Sequence, residues 1–250
     1  MNFDTGMDDY QKKKDLPIIP TGDISLDKLL LGGFQKELMY LVYGPKAIIT
    51  DILLRTCVNA QIILGSQNQS NTSKDVKVAY IDGSNRFNPY TVSKYAASQR
   101  LSPRKVLENI LITRAFTWEQ MVEILQNKIT QLENIEMVIV AGITQLFEYD
   151  KAGYEGLLKA IDGIKQLLSK TAPLIILTGP KEKYSQFKPK GGKIIQHFGN
   201  VLVMINEDER KVSYRLIQHP AMPEKQLLRK KHKNPKKRSD VSNAKLDEWL

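Results

Sequence analysis

The chain has 250 residues, 42% hydrophobic and 26% charged, which is the composition of an ordinary globular protein long enough for one substantial core. No apolar run approaches the roughly 18 residues of a membrane span, and the N-terminus MNFDTGMDDYQKKK lacks the apolar segment of a secretory signal, so we expect an intracellular protein with no membrane partner. One cysteine and three scattered histidines predict no metal site.

The net charge of +10 is unevenly placed along the chain. Residues 229–238 hold seven Lys or Arg and no acid, and without them the net charge falls to +3. Such a run is typical of a disordered terminus, and it needs no fold to displace counterions from phosphates. We therefore predict a basic, disordered tail over 225–250. Its predicted DNA-binding residues are Arg229, Lys230, Lys231, Lys233, Lys236, Lys237 and Arg238.

Short elements follow a polar arm at residues 1–20. The sequence TGDISLDKLLLGG predicts a short helix, capped by Asp23 or Ser25 and stopped by its final glycine pair. Residues 38–43 form an apolar strand. A Gly-Pro turn then leads into a helix-patterned run that ends near residue 65.

Apolar strands and helices alternate through the rest of the chain. Further strands are predicted at 76–82, 109–115, 136–142 and 173–179. The intervening helices begin at Pro89 or extend over 117–134 and 154–170. This alternation predicts an α/β core domain over 21–224, with a mostly parallel, twisted sheet flanked by helices on both faces. The last two strands flank an acidic turn and predict a C-terminal antiparallel hairpin at one sheet edge.

The succession of segments resembles the ATPase core of the RadA-type branch of the RecA recombinase family. IPTGDISLDKLLLGGFQKELMYLVYG is similar to the entry of that core, up to its phosphate-loop strand, and VAYIDGSNRFNP to its second strand and the following turn. VLENILITRAFTWEQ, GGKIIQHFGNVLVMI and RLIQHPAMPE resemble later parts of the core in the same order. The similarity extends over about residues 1–224 and implies a RecA-like core.

The loop that should bind phosphate departs from the family pattern. It reads Gly44-Pro45-Lys46-Ala47-Ile48-Ile49-Thr50, one residue shorter than in the family, with no second glycine and with Ile48-Ile49-Thr50 where Gly-Lys-Thr would stand. β-Branched residues resist the backbone angles that a phosphate cradle requires. Gly44, Lys46 and Thr50 are therefore interpreted as vestiges of a nucleotide site. Lys46 is either a relic phosphate ligand or, more often for lysine, a surface residue.

Three further positions argue against ATP turnover. We expect Asp51 in the first turn of the helix, where its carboxylate occupies the end of the helix dipole that attracts phosphate. The family's water-activating Glu is matched by Ser84, and its Mg²⁺-supporting Asp by Ala141. The resemblance thus predicts a RadA paralogue with degenerate Walker A and Walker B motifs, no cofactor and no ATPase activity. An ATPase whose displaced lysine is Lys46 or Lys181 is a further alternative.

The N-terminal arm contains a candidate partner-binding motif. In the family, a Phe-x-x-Ala segment ahead of the core docks on a neighbouring subunit. Here Phe3 and Gly6 stand at the equivalent distance from Thr21-Gly22, with Thr5 between them. We predict that this arm binds a RadA-type recombinase or another paralogue in a hetero-oligomer. A tail with one stray aromatic residue is the alternative.

A lysine-rich loop follows the strand at 173–179, where the family binds single-stranded DNA. Lysines suit phosphates and aromatic rings suit base stacking, so we predict a DNA-binding loop over 181–193. Its predicted contacts are Lys181, Lys183, Tyr184, Phe187, Lys188, Lys190 and Lys193. A solvated lysine loop is the alternative reading.

The favoured hypothesis is a non-catalytic RadA paralogue that assists homologous recombination or DNA repair. It would bind single-stranded DNA and a recombinase partner. The second hypothesis is an interaction scaffold that uses the RecA-like shape without direct DNA binding.

Overall fold

The computed structural model describes residues 5–8, 11, 15–66, 76–147 and 150–231. The strands are β1 Ile18–Ile19, β2 Phe34–Gln35, β3 Met39–Tyr43, β4 Lys77–Asp82, β5 Ile110–Arg114, β6 Ile135–Ala141, β7 Leu174–Gly179, β8 Val201–Glu207, β9 Lys211–Gln218 and β10 Lys225–Lys230. The helices are α1 Ile24–Leu29, α2 Lys46–Ser66, α3 Pro89–Ser98, α4 Pro103–Glu108, α5 Trp118–Glu123, α6 Lys151–Thr171 and α7 Gly192–Phe198.

Eight strands form one sheet in the order β10-β9-β8-β3-β7-β6-β4-β5. Every pairing from β8 to β5 is parallel, whereas β8–β9 and β9–β10 are antiparallel. The predicted α/β class, with a mostly parallel sheet and an antiparallel C-terminal edge, is therefore confirmed. The strands β1 and β2 form a separate two-stranded ribbon.

Alternating side chains of the central strands enter two hydrophobic cores, one on each face of the sheet. On β3, Tyr40 and Val42 face the core that contains α2, α3 and α4, whereas Leu41 and Tyr43 face the core that contains α5, α6 and α7. Strands buried on both faces are continuous apolar runs in the sequence, because no position faces water. This explains why the apolar patterns predicted the central strands closely.

Local capping explains where several helices begin. The Asp23 carboxylate accepts hydrogen bonds from the Ser25 and Leu26 amides at 2.9 and 3.2 Å, so Asp23 is the cap of α1. Asn88 caps α3 just ahead of Pro89, which confirms the start of that helix. The helix predicted over 117–134 begins after the Thr117 cap as expected, but it continues from α5 through a π-helical turn and a short 3₁₀ helix.

The helix α2 includes a segment that could span a membrane by length and composition alone. This segment, Lys46–Gly65, is more apolar than the sequence analysis allowed. Half of it is buried in the structure, and Ile52, Leu53 and Cys57 lie in the core beneath the sheet. Its apolar character is therefore explained by packing on the sheet.

The predicted boundary at residue 224 is wrong. Residues 225–230, assigned to a disordered tail, form β10 and pair with β9 from Lys225–Leu216 to Lys230–Lys211. This pairing satisfies backbone groups along the β9 edge, and β10 also packs on α1. Residues 232–250 lie outside the described part of the chain.

Candidate nucleotide cleft and nucleic-acid interface

The five positions assigned to a vestigial nucleotide site lie around one cleft at the carboxyl edge of the parallel strands. Its lining includes Gly44, Lys46, Thr50, Ser84 and Ala141. Ligands of α/β proteins bind at this edge of the sheet. The space that solvent can enter is about 20 Å³, enough for about one water molecule.

The turn between β3 and α2 is short. Only Pro45 separates Gly44 from Lys46, the first residue of the helix, and the Ile49 amide already donates to the Pro45 carbonyl at 3.1 Å. The Gly44 amide donates to the carbonyl of Gly179 on β7 at 3.3 Å. Gly44 has a φ of +142°, and an added Cβ would lie 2.0 Å from the Ile205 carbonyl oxygen. The turn is therefore held tightly between β7 and β8.

Ser84, which the resemblance matches to the family's water-activating Glu, is hydrogen-bonded to Asp82 in the turn after β4. The Ser84 hydroxyl donates to the buried Asp82 carboxylate at 2.9 Å. The same carboxylate accepts from the amides of Ser84, Arg86 and Phe87 at 2.8–3.1 Å. A buried carboxylate needs several donors of this kind. Asp82 thus organises the turn after β4, and Ser84 belongs to that turn.

Asp51 is not in the first turn of α2, which corrects the sequence prediction. The helix begins at Lys46, so Asp51 is its sixth residue and the first turn has no acid. The Asp51 carboxylate accepts from Arg55 Nε at 2.9 Å and from the Tyr95 hydroxyl. The Asp51 side chain therefore links α2 to α3 through Tyr95. No acidic residue in the first turn of α2 balances the positive end of the helix dipole.

The lysine-rich segment after β7 is a compact hairpin-like loop. The Glu182 amide donates to the Lys188 carbonyl at 2.8 Å, and the Lys190 amide donates to the Pro180 carbonyl at 2.9 Å. Lys181 and Pro189 form an isolated antiparallel bridge. We call residues 181–191 the basic loop.

Side chains of the basic loop fall into two groups. Lys183, Tyr184 and Lys188 are exposed, and Tyr184 is 89% exposed with the Lys183 ammonium 5.4 Å from its ring. Lys181 and Lys190 are partly buried. Lys193 lies in the first turn of α7. The loop therefore ends at residue 191, two residues before the predicted end at residue 193.

Phe187 has a contact that sequence reasoning missed. The Arg215 guanidinium lies 4.5 Å from the centre of the Phe187 ring, and the Phe187 carbonyl accepts a hydrogen bond from the Tyr43 hydroxyl. Phe187 is 38% exposed and its ring already contacts the Arg215 guanidinium, so its predicted stacking on bases stays a prediction. Neither contact was visible in the sequence, because Tyr43 resembles any core residue of an apolar strand. The alternation on β9 does predict an outward-facing Arg215.

The basic residues at the end of the described chain differ in their contacts. Arg229 Nη1 lies 2.6 Å from Asp23 Oδ2 and its guanidinium lies over the Tyr214 ring. Lys231 forms an ion pair with Glu207 at 2.6 Å. Lys230 is exposed. The other four predicted tail contacts lie beyond the described residues, namely Lys233, Lys236, Lys237 and Arg238.

The Arg229→Gln variant is expected to lower stability by about 1–2 kcal/mol, with a fall in Tm of about 3–6 °C. Asp23 caps α1, accepts from the Tyr214 hydroxyl at 2.7 Å and is mostly buried, so it loses its cationic partner. Partial exposure of the Arg229 side chain limits the loss. Thermal unfolding measures the effect. The matched control is Lys230→Gln, one residue along β10. Equal losses in both variants would contradict this role of Arg229.

Residues 5–8 and 11 of the predicted N-terminal arm are exposed, whereas Ile19 near its end is buried in the core and pairs with β2. The Thr5 hydroxyl and amide donate to the Asp8 carboxylate at 2.6 and 3.0 Å, and no atom lies within 4 Å of a Cβ built on Gly6. Phe3 lies outside the described residues. The arm therefore presents Thr5 and Gly6 to solvent, and the partner role of Phe3 stays a prediction.

An apolar groove lies beside β5, the edge strand at the far end of the sheet from β10. Solvent can enter about 150 Å³ of it. Its lining consists of Ala79, Ile81, Leu111, Ile112, Thr113, Ile124, Lys128, Ile129 and Leu132. Ile112 is 41% exposed on its wall. An aliphatic cavity of about this volume accommodates a benzene ring.

The strand order and the cleft at the carboxyl edge define an α/β protein with a RecA-like core. The model of the Rad51 family matches residues 12–175, about two thirds of the chain. The protein belongs to the Rad51 family.

Several curated proteins are similar to this chain. The meiotic recombination protein DMC1 homologue of Glycine max is 25% identical over an alignment 250 positions long, gaps included, which covers 90% of this chain and 69% of that protein. The DNA repair and recombination protein RadA of Metallosphaera sedula is 30% identical over 161 residues, covering 63% of this chain and 48% of that protein. RadA of Cenarchaeum symbiosum is 29% identical over 155 residues, covering 61% and 38%.

Proposed function

We propose that the protein is a non-catalytic, intracellular accessory of homologous recombination and DNA repair. It binds single-stranded DNA through the basic loop and a recombinase through its arm and the apolar groove. The observation that carries the proposal is a contrast at one sheet edge. The nucleotide cleft admits about 20 Å³ of solvent, whereas Lys183, Tyr184 and Lys188 stand exposed on the loop that follows β7.

The absence of ATP turnover rests on the residues around the cleft. Ser84 hydrogen-bonds to Asp82, Ala141 offers no metal ligand, and the Gly44 and Ile49 amides already donate to the carbonyls of Gly179 and Pro45. Each missing charge-assisted contact costs about 1.5–3 kcal/mol, so losing two or three weakens triphosphate binding by roughly 10³-fold or more.

An atypical ATPase is the enzyme alternative, and one observation favours it. Lys46 is exposed, lines the cleft and stands at an N-terminal helix end whose first turn has no acid. Lys181, the other candidate, is absent from the cleft lining. Calorimetry with a non-hydrolysable ATP analogue and Mg²⁺ separates the two readings. Our proposal expects no binding at micromolar concentrations, and micromolar affinity would support the ATPase.

The scaffold alternative differs in its prediction for DNA. A scaffold that uses only its shape shows no salt-dependent affinity for oligonucleotides. A loop that places cations on phosphates loses affinity as salt rises, with a slope of about −0.7 per contact on single strands. Binding isotherms for a labelled single-stranded oligonucleotide at several salt concentrations therefore distinguish an accessory that holds DNA from one that holds only a partner.

The groove beside β5 is suited to an aromatic anchor on the arm of another family member. Its apolar wall and ring-sized volume match the Phe that this chain carries in its own arm. Within the described residues β5 is the last strand in the sheet order, so no described strand pairs with its outer edge, and this edge suits an extended segment. A pocket for one ring next to a free strand edge is a recurrent way to bind a peptide arm.

The Ile112→Glu variant is expected to weaken the complex with a RadA-type recombinase by about 30-fold or more, because it places a charge on the groove wall at an interface hot spot. Light scattering or titration of the two purified proteins measures the affinity. The matched control is Ile24→Glu, which adds the same charge at an exposed isoleucine on α1. If Ile112→Glu binds the recombinase with unchanged affinity, the groove is not the recombinase-binding site.

A further inference from the structure

The basic loop is fastened to the sheet at its middle as well as at its ends. Backbone bonds close the ends, from Glu182 to Lys188 and from Lys190 to Pro180. At the middle, the Tyr43 hydroxyl donates to the Phe187 carbonyl at 2.5 Å, while the Arg215 guanidinium covers the Phe187 ring. Three elements distant in sequence thus meet at one residue of the loop.

The two fastening residues are themselves rigidly placed. Tyr43 is the last residue of β3, is fully buried, and pairs with Gly179 on β7 and with Met204 on β8. Arg215 lies on β9 opposite Met204, with a second contact to Glu224 at 3.6 Å. Both side chains therefore project from a sheet interior that cannot shift without breaking strand pairing.

The Tyr43 hydroxyl is a dependable donor. Burial raises the pKa of Tyr43 to about 12, and nearby Arg215 opposes this only in part. The phenol accordingly stays protonated throughout the neutral and mildly alkaline range, and its proton stays available to the Phe187 carbonyl. The fastening does not depend on pH under ordinary conditions.

Fixing Phe187 determines what the loop presents to solvent. Lys183 and Tyr184 precede Phe187 and Lys188 follows it, and all three side chains point away from the core. A binding surface that is already ordered loses less conformational entropy when its ligand arrives. Tyr43 also directly precedes Gly44, so the contacts that fasten the loop join it to the turn at the nucleotide cleft through protein groups.

We propose that Tyr43 and Arg215 are positioning residues that hold the basic loop ready for single-stranded DNA in the absence of nucleotide. This inference rests on the proposed function of the loop. Neither side chain is assigned a contact with DNA. Tyr43 is buried, and the partly exposed Arg215 guanidinium lies against the Phe187 ring. They fix the backbone of the basic loop, which carries the side chains of Lys183, Tyr184 and Lys188.

The test is the Tyr43→Phe variant, which removes one hydroxyl and keeps the ring. We expect its affinity for a labelled single-stranded oligonucleotide to fall about five- to tenfold, as for loss of one hydrogen bond. The slope of log affinity against log salt should stay unchanged, because no phosphate contact is lost. Trypsin should cleave the native protein faster after Lys183, which is followed by Tyr184, since the loop is released.

The matched control is Tyr40→Phe on the same strand. The Tyr40 hydroxyl accepts from the Gln35 amide at 2.8 Å on the opposite face of the sheet, so this variant should change neither DNA affinity nor cleavage of the loop. Arg215→Gln is the second variant, expected to accelerate cleavage as Tyr43→Phe does. The proposal is overturned if Tyr43→Phe and Arg215→Gln have the cleavage rate and DNA affinity of wild type. It is also overturned if these two variants have the same cleavage rate and affinity as Tyr40→Phe.

The two readouts separate this inference from the function on which it rests. If wild-type protein binds no single-stranded DNA while Tyr43→Phe still accelerates cleavage of the loop, the proposed function fails and the fastening stands. If wild type binds DNA and Tyr43→Phe leaves affinity and cleavage unchanged, the function stands and the positioning role is wrong. A smaller salt slope in Tyr43→Phe would also overturn it, because the residue would then contribute to phosphate contact.

Discussion

The triple variant Lys183→Gln/Tyr184→Ala/Lys188→Gln is expected to bind single-stranded DNA about 100-fold or more weakly than the wild-type protein. Loss of base stacking on one aromatic ring costs about 1–3 kcal/mol. Two lost phosphate contacts also make the slope of log affinity against log salt shallower by about 1.4. All three side chains are exposed on the basic loop, so their removal leaves the core intact. Fluorescence anisotropy with a labelled oligonucleotide across a salt series measures both quantities.

The matched control is Tyr90→Ala/Lys94→Gln/Lys105→Gln. These residues are exposed on α3 and α4, on the opposite layer of the fold, and Tyr90 is 83% exposed. The control removes the same side-chain types and the same charge, so it corrects for general electrostatic attraction between a basic protein and DNA. If both triple variants lose affinity to the same extent, the loop has no special role.

The Gly44→Ala variant is expected to destabilise the protein by about 3 kcal/mol or more, or to prevent folding. A positive φ strains any residue with a Cβ by about 1–3 kcal/mol. Here the added atom would also lie 2.0 Å from the carbonyl oxygen of Ile205. That carbonyl belongs to β8, which pairs with β3 in the middle of the sheet, so it cannot move away. Chemical denaturation of the variant and the wild type measures the difference.

Gly65→Ala is the control for this substitution. No atom lies within 4 Å of a Cβ built on Gly65 near the end of α2, and alanine favours a helix by about 1 kcal/mol over glycine. This control should be neutral or slightly stabilising. A Gly44→Ala variant within 1 kcal/mol of wild type would show that the turn has room to open, and would weaken the account of a closed cleft.

The strands were predicted correctly where both faces of the sheet are buried, because such strands are continuous apolar runs in the sequence. The strand predicted at 38–43 corresponds to β3, and the run at 173–179 corresponds to β7, because the interior of a parallel sheet selects apolar residues at every position. The positions interpreted as vestiges of a nucleotide site line one cleft, since strands that run parallel bring their carboxyl ends together.

The misread elements depend on contacts between distant parts of the chain. The strand β10 is basic and exposed on much of its surface, a pattern typical of a solvated tail, and it is stabilised by Arg229 on Asp23, which lies 206 residues earlier. Asp51 was misplaced because the start of α2 depends on how tightly Gly44 packs against β8. Phe187 was read as free because nothing local reveals that Tyr43 and Arg215 reach it.

The irregular end of the helix at Trp118–Glu123 has a similar origin. Its π-helical turn includes Leu125, and a Cβ built on Gly163 of α6 would lie 2.2 Å from the Leu125 carbonyl. The π-helical turn at Leu125 and α6 come into close contact at Gly163, because glycine has no side chain to keep the two backbones apart. Amphipathic periodicity predicts that a helix exists but carries no information about such a close approach.

We propose that this Rad51-family protein holds single-stranded DNA without using ATP. This is tested by the affinity of the purified 250-residue chain for single- and double-stranded oligonucleotides across a salt series, with and without ATP and Mg²⁺. The account predicts a preference for single strands that weakens as salt rises and is the same with or without ATP. Binding that requires ATP, or no binding at low salt, would contradict it.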